Sequence, residues 1–72
     1  MENHTPQYKQ ARVIVDMTQG MAADELGVAP STLIRWEADE TMPNASQIVA
    51  MAKLYGVSCD QLLGLKPLVA QD

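Results

Sequence analysis

The stretch TQGMAADELGVAPSTLIRWE, residues 18–37, decides how this chain folds. Thr18 is a good N-cap for one short helix, and Gly27 ends that helix because glycine readily adopts the left-handed turn after a helix C-terminus. Pro30 suits the first position of a second helix, which runs to about Ala38. The stretch therefore predicts two short helices joined by a tight corner at Gly27.

Similar start and stop signals predict one helix before this stretch and two after it. These three helices are expected from Thr5, with Pro6 at the first position, to about Val15; from Asn44, with Gln47 in a capping box, to Gly56; and from Ser58, with Gln61 in a capping box, to Gly64. No alternation typical of β-strands competes with them. We therefore expect an all-α chain of five helices, in a single domain of residues 1–72 with its core at about 5–64 and a tail at 65–72.

Helical spacing places one charged side chain on the inner face of each of two helices. The inner stripes are Tyr8, Ala11, Arg12 and Val15 on the first helix, and Leu33, Trp36 and Glu37 on the third. A charge that faces a core is costly unless it is paired. Two interpretations remain open: Arg12 and Glu37 form a bidentate ion pair that fastens the first helix to the third, or each points along the domain edge into water.

Composition narrows the function classes. Five lysines and arginines stand against nine acidic residues, which gives a net charge of −4 and a pI near 4.6. The cations are scattered, whereas DNA-binding domains usually carry a basic stripe, so composition alone favours a protein-binding module. One cysteine and one histidine exclude an internal disulfide and multi-cysteine zinc sites, and no nucleophile–base pair is evident, so we expect no enzyme, cofactor or metal. No stretch is apolar enough for a membrane span or a signal peptide, which favours the cytoplasm.

Two helices joined by a glycine-containing corner are the layout of a helix-turn-helix, whose second helix enters the DNA major groove. Over residues 8–64 the chain also resembles the Cro/repressor family, the xenobiotic-response-element type of helix-turn-helix. The residues that carry the resemblance are Arg12, Thr18-Gln19, Ala23, Leu26-Gly27-Val28, Ser31-Thr32-Leu33, Trp36-Glu37, Pro43, Ile48, Ala52, Gly56-Val57-Ser58 and Leu62-Leu63-Gly64. The resemblance implies a compact five-helix bundle of the lambda-repressor-like type that binds operator DNA as a homodimer. The pair of Arg12 and Glu37 also matches the family's pattern.

The outer face of the third helix is the candidate reading surface. It consists of Ser31, Ile34, Arg35 and Ala38, with Pro30 and Thr32 near the start of the helix. Arg35 suits a bidentate contact to guanine, and Ile34 suits a thymine methyl group or a protein partner. The alternatives are a salt bridge from Arg35 to Asp39 and simple solvation of Ser31 and Thr32.

Phosphate contacts are implied by the resemblance at two helix starts. They are carried over by position to Thr18 and Gln19 at the start of the second helix and to the backbone at Asn44.

Departures from the family pattern keep two functions open. The family often has glycine and basic residues after the third helix, whereas Ala38-Asp39-Glu40 places two carboxylates there, and Asp16 replaces a glycine after the first helix. The first hypothesis is a homodimeric repressor that reads an inverted-repeat operator in double-stranded DNA, with Leu65, Leu68 and Val69 either in a dimer contact or packed back onto the first helix. The second is a helix-turn-helix fold used for protein interaction, antitoxin-like or anti-repressor, through its acidic surface.

Overall fold

Five α-helices form the structure, a computed structural model that describes residues 6–68. Their bounds are α1 Tyr8–Ile14, α2 Gln19–Leu26, α3 Pro30–Glu37, α4 Ala45–Tyr55 and α5 Cys59–Leu62. These described residues contain no strand, so the expected all-α class with five helices is confirmed. None of these helices has the length and apolar character needed to cross a membrane.

The helix ends follow the predicted signals in α2, α3 and α4. The Thr18 hydroxyl accepts a hydrogen bond from the backbone N–H of Met21 at 3.0 Å, which caps α2. Gly27 then ends α2 in the left-handed conformation, with φ of 71°, where a side chain would be strained. Pro30 occupies the first turn of α3, and Asn44 caps α4 in a complete capping box.

The start of α1 differs from the prediction. The helix begins at Tyr8, with Gln7 as an N-cap that makes no side-chain capping bond, and Thr5 lies outside the described residues. The backbone N–H of Gln7 donates instead to the carbonyl oxygen of Leu62, at 2.8 Å. The cap position is thus held by a contact between the two ends of the domain, which no local sequence signal reveals.

The end of α1 changes one predicted core residue. Because the helix ends at Ile14 and Asp16 adopts a positive φ of 59°, Val15 no longer continues the inner stripe and is exposed. Asp16 thus takes the left-handed conformation at the position where the family usually has glycine, a conformation that aspartate tolerates better than most residues.

The core lies where α4 meets the other helices. The helix α2 packs on α3 and α4, α1 packs on α3 and α4, and α5 packs on α4. The buried apolar side chains are Tyr8, Ala11, Ala22, Ala23, Leu33, Trp36, Met51, Ala52, Tyr55 and Leu62. Burying one large apolar side chain stabilises a fold by roughly 1.5–3 kcal/mol, so this small cluster holds α3 firmly against its neighbours.

The segment after α5 folds back along the domain. The backbone N–H of Leu65 donates to the carbonyl oxygen of Asp60 at 2.8 Å, and the side-chain amide of Gln61 donates to the carbonyl oxygen of Pro67 at 3.2 Å. Leu68 consequently packs against the core, whereas Leu65 remains exposed. Val69, the third apolar residue considered for a dimer contact, lies outside the described residues.

Candidate nucleic-acid interface

The helix α3 has one buried and one exposed face, as its spacing predicts. Leu33 and Trp36 point into the core. On the opposite face Ser31, Ile34, Arg35 and Ala38 are exposed, and Pro30 is exposed beside them, whereas Thr32 is half-buried. The exposed side therefore combines a hydroxyl, a branched apolar side chain and one guanidinium.

Arg35 has no carboxylate partner within 4.0 Å in residues 6–68, where the ion pairs are Arg12 with Glu37 and Lys66 with Asp60. The predicted alternative, a salt bridge to Asp39 four residues on, needs both residues in one helix. The helix ends at Glu37, and Asp39 adopts a positive φ of 61°, so this helical spacing is lost. The guanidinium is consequently available to a ligand.

A buried hydrogen-bond network ties α1, α2 and α3 together. The Nε and Nη2 atoms of Arg12 donate to the two carboxylate oxygens of Glu37, at 2.7 and 3.0 Å. The Nη1 atom donates to the carbonyl oxygen of Met17, just before α2, at 2.7 Å. The side chains of Arg12 and Glu37 are only 9% and 4% exposed. Of the two interpretations left open by the sequence, the structure therefore has the bidentate ion pair, and the two charges do not point separately into water. The hydrogen bond to Glu37 raises the pKa of the Arg12 guanidinium.

Gln19 joins this network, which the sequence did not indicate. Its side-chain Nε2 donates to Oε1 of Glu37 at 3.0 Å. The family resemblance implies a phosphate contact at Gln19; this residue is the first of α2, and the phosphate contact stays a prediction. No periodicity links positions 19 and 37, so only the packing of α2 on α3 reveals the bond.

The phosphate contact expected at the Asn44 backbone stays a prediction. Its N–H already donates to the side chain of Gln47, at 2.8 Å, in the capping box. The capping box predicted from the sequence was itself the signal that this donor is occupied. The free donors are the next two backbone N–H groups, of Ala45 and Ser46, which as the first residues of α4 have no intrahelical partner.

The start of α2 has the same construction. Thr18 uses its hydroxyl oxygen to cap Met21, while its hydroxyl proton remains able to donate. The backbone N–H groups of Gln19 and Gly20 are the first two of the helix and likewise lack an intrahelical partner. Two helix N-termini therefore present free amides, a known arrangement for binding phosphate.

The charge around α3 is mixed. Asp39 and Glu40 are exposed directly after the helix and repel a phosphate backbone. Arg12 is buried in its ion pair with Glu37, so it adds no positive charge to this surface. The cation that this face retains is Arg35, beside the free amides at the two helix starts.

A shallow groove of about 510 Å³ lies on the outer side of α1, away from the Arg12 network. It is lined by Gln7, Lys9, Gln10, Val13, Ile14 and Leu68. Val13 and Ile14 are each about half exposed, at 51% and 53%. Residues 6–68 contain no cluster of three histidine, cysteine or acidic residues that could hold a metal ion.

Comparison with known proteins agrees with this geometry. The pattern of a helix-turn-helix family matches residues 9–62. Two proteins of Bacillus subtilis are similar: the uncharacterized HTH-type transcriptional regulator YobD, 35% identical over 79% of this chain, and the HTH-type transcriptional regulator ImmR, 36% identical over 78%. The HTH-type transcriptional activator BcrR of Enterococcus faecalis is 28% identical over 85% of this chain.

The aligned part covers 51%, 44% and 30% of these three relatives, so the chain spans about half of their length or less. The matched region contains α1 to α5 apart from the first residue of α1. The family is one of DNA-binding domains and not of enzymes. With its five helices, its exposed α3 face and a match over most of its length, the chain belongs to the Cro/repressor-type helix-turn-helix family and has its lambda-repressor-like fold.

Proposed function

We propose that this chain is a sequence-specific DNA-binding regulator of transcription that reads the major groove through α3. The observation that carries the proposal is the guanidinium of Arg35 on the exposed face of that helix, which has no carboxylate partner among residues 6–68. A bidentate contact from arginine to guanine is the commonest specific base contact. Ile34, 46% exposed beside it, fits a thymine methyl group, and Ser31 and Thr32 supply hydroxyl donors.

Phosphate contacts come from two helix N-termini in this proposal. The backbone amides of Gln19 and Gly20 begin α2, and those of Ala45 and Ser46 begin α4. Amides at a helix N-terminus attract phosphate without adding net charge. This arrangement suits a chain whose net charge is −4.

We further propose a homodimer on an inverted-repeat operator, with half-sites about one helical turn apart. One α3 helix offers a single arginine, and a second copy doubles the base contacts. We infer repression because a bound dimer needs only to occupy promoter DNA, whereas activation needs an additional contact. Such a regulator acts on DNA in the cytoplasm.

The dimer contact is proposed on the outer side of α1, where Val13 and Ile14 lie exposed, together with Leu65 after α5. Among residues 6–68 no carboxylate lines the groove there, and Lys9 is the charged side chain that does. Two copies that each carry a charge of −4 repel least through a face without carboxylates. Replacement of Ile14 by glutamate should lower the dimer fraction in sedimentation equilibrium; an unchanged fraction places the contact elsewhere.

Selection from a random duplex pool at low and moderate salt tests the DNA-binding proposal. We expect a palindromic consensus, and Arg35→Ala should weaken binding by about 1–3 kcal/mol while relaxing specificity at one base position. Arg35→Lys is the matched variant, because it keeps the charge and loses the bidentate geometry. A loss that is uniform over all operator variants makes Arg35 a phosphate contact instead.

The salt dependence gives an independent readout. If each subunit offers two exposed cations, Arg35 and either Lys9 or Lys53, a dimer neutralises about four phosphates and should show a slope near −4 for log affinity against log salt. A slope steeper than about −8 contradicts the assignment of the cations.

Protein interaction is the second candidate function. The exposed carboxylates of Asp24, Glu25, Asp39 and Glu40 and the net charge of −4 favour it. The same selection separates the two: if no sequence is enriched even at low salt, the protein-interaction function replaces the regulator proposal.

A further inference from the structure

Glu37, the last residue of α3, has a buried side chain, yet that side chain accepts a hydrogen bond from Gln19, which the proposed function places at the DNA backbone. We propose that Glu37 is a positioning residue that holds the side-chain amide of Gln19 ready for a DNA phosphate, and that Arg12 makes this possible by neutralising Glu37. The inference rests on the proposed DNA-binding function. It assigns to the buried network a role in binding beyond fastening the helices together.

The side-chain amide of Gln19 keeps one free hydrogen. The side-chain NH₂ of Gln19 has two hydrogens, and one is donated to Oε1 of Glu37 at 3.0 Å. The second hydrogen remains, on a half-buried residue at the first position of α2. The backbone N–H of the same residue also has no intrahelical partner, so side chain and backbone each leave a donor at the start of α2.

The bond to Glu37 holds the Gln19 side chain in place before DNA binds. A free glutamine side chain loses much of its rotamer freedom when a ligand immobilises it. Here the bond to Glu37 has already removed that freedom in the unbound protein. Binding strength gained in this way comes from a smaller entropic penalty and not from an additional contact.

Arg12 offsets the negative charge of Glu37. A carboxylate close to a phosphate normally weakens binding, because like charges repel. The two hydrogen bonds from Arg12, at 2.7 and 3.0 Å, neutralise Glu37 while leaving Oε1 able to accept from Gln19. Arg12 therefore contributes to DNA binding without a DNA contact.

The test is a double-mutant cycle on operator affinity. Gln19→Met preserves length and removes the donor, and it is measured in the natural chain and in the Arg12→Met/Glu37→Leu background. In the natural chain we expect an affinity about 3- to 10-fold lower, equal for all operator variants, since phosphates carry no sequence information. In the background without the ion pair the same change should have less than about a 2-fold effect. Val49→Met, on the exposed side of α4, is the control and should change nothing.

Each other outcome overturns the inference. A lower melting temperature with unchanged affinity makes the bond to Glu37 purely structural. An equal loss in both backgrounds means that Gln19 contacts DNA without help from Glu37. If the natural chain selects no operator at all, the proposed function fails first, and this result is distinct from the other two.

A nuclear magnetic resonance measurement keeps the test valid if the double background does not fold. The two side-chain NH₂ protons of Gln19 should have separate resonances in the free protein, one of them displaced by its bond to Glu37. Addition of operator should displace the other proton, and an operator with a neutral methylphosphonate at the contacted position should not. Operator binding that leaves the second proton unmoved contradicts the proposal.

Discussion

Replacing Gly20 by alanine should stabilise the domain, whereas the same replacement at Gly27 should destabilise it. Both sites have room for the added methyl group: at Gly20 the nearest atom is the Thr18 hydroxyl oxygen at 3.9 Å, and at Gly27 nothing lies within 4 Å. The two sites differ in backbone conformation. Gly20 is in the first turn of α2, whereas Gly27 has φ of +71°.

The magnitudes follow from this difference. Glycine in a helix interior costs about 0.8–1.0 kcal/mol relative to alanine, so at this position near the helix start we expect a gain of about 0.5–1 kcal/mol for Gly20→Ala. An L-residue in the left-handed region costs roughly 1–2 kcal/mol, which is the loss expected for Gly27→Ala. In a domain of this size a change of 1 kcal/mol shifts the melting temperature by about 4–8 °C.

Urea unfolding, followed by the fluorescence of the buried Trp36, measures both free energies of unfolding. The denaturant slope m should stay constant across the natural chain and both variants, because neither change alters the buried surface. Destabilisation by Gly20→Ala would refute the conclusion that Gly20 is helical and has room for a methyl group. Stabilisation by Gly27→Ala would refute the left-handed corner on which the helix-turn-helix depends.

Three further predictions concern charge and burial. Asp39→Asn with Glu40→Gln should raise affinity for any duplex by about 0.5–1 kcal/mol per charge at low salt, in a fluorescence-anisotropy titration, and a gain that persists at high salt would contradict an electrostatic cause. Arg12→Met should lower the free energy of unfolding in urea by about 3–5 kcal/mol, because it leaves the buried carboxylate of Glu37 without a partner. Arg12→Met combined with Glu37→Leu should leave the free energy of unfolding close to that of the natural chain. Equal losses in the two variants would show that the two residues are not coupled. Burial, and secondarily the charge of Glu37, raises the pKa of Tyr55 to about 12, and its hydroxyl has no hydrogen-bond partner within residues 6–68. Because the folded state holds this proton more tightly than the unfolded state, the free energy of unfolding should fall as pH rises from about 10 to 12. The variant Tyr55→Phe should be at least as stable as the natural chain at pH 7 and should lose less stability over that range. A clear loss of stability at pH 7 would show that the hydroxyl has a hydrogen-bond partner.

Local chemistry explains why the helix boundaries around the corner were predictable. Thr18, Gly27, Pro30 and Asn44 act through bonds or dihedral angles within a few residues of themselves, so sequence suffices to place α2, α3 and the start of α4. The prediction for the start of α1 was wrong because that start depends on a contact distant in the sequence. Its N-cap Gln7 is held by the carbonyl oxygen of Leu62, far away in the sequence.

The candidate site divides in the same way. Periodicity alone assigned Ile34 and Arg35 to the exposed face of α3, because both faces of a helix follow from its repeat. It did not settle whether Arg35 pairs with Asp39, since that depends on where α3 ends and how the chain turns. Periodicity also does not show that the Asn44 backbone donor is occupied; the capping-box pattern of Asn44 and Gln47 indicates this, and the structure has the bond.

The sequence by itself therefore determined the presence of the five helices, their inner faces apart from Val15, and the family, since caps, turns and periodicity are local properties of the chain. Tertiary structure decided which polar groups meet. Arg12, Gln19 and Glu37 come from three different helices, and only the packing of α1 and α2 on α3 brings them within 3.0 Å. Hydrogen bonds need that precision, which no pattern in a single sequence specifies.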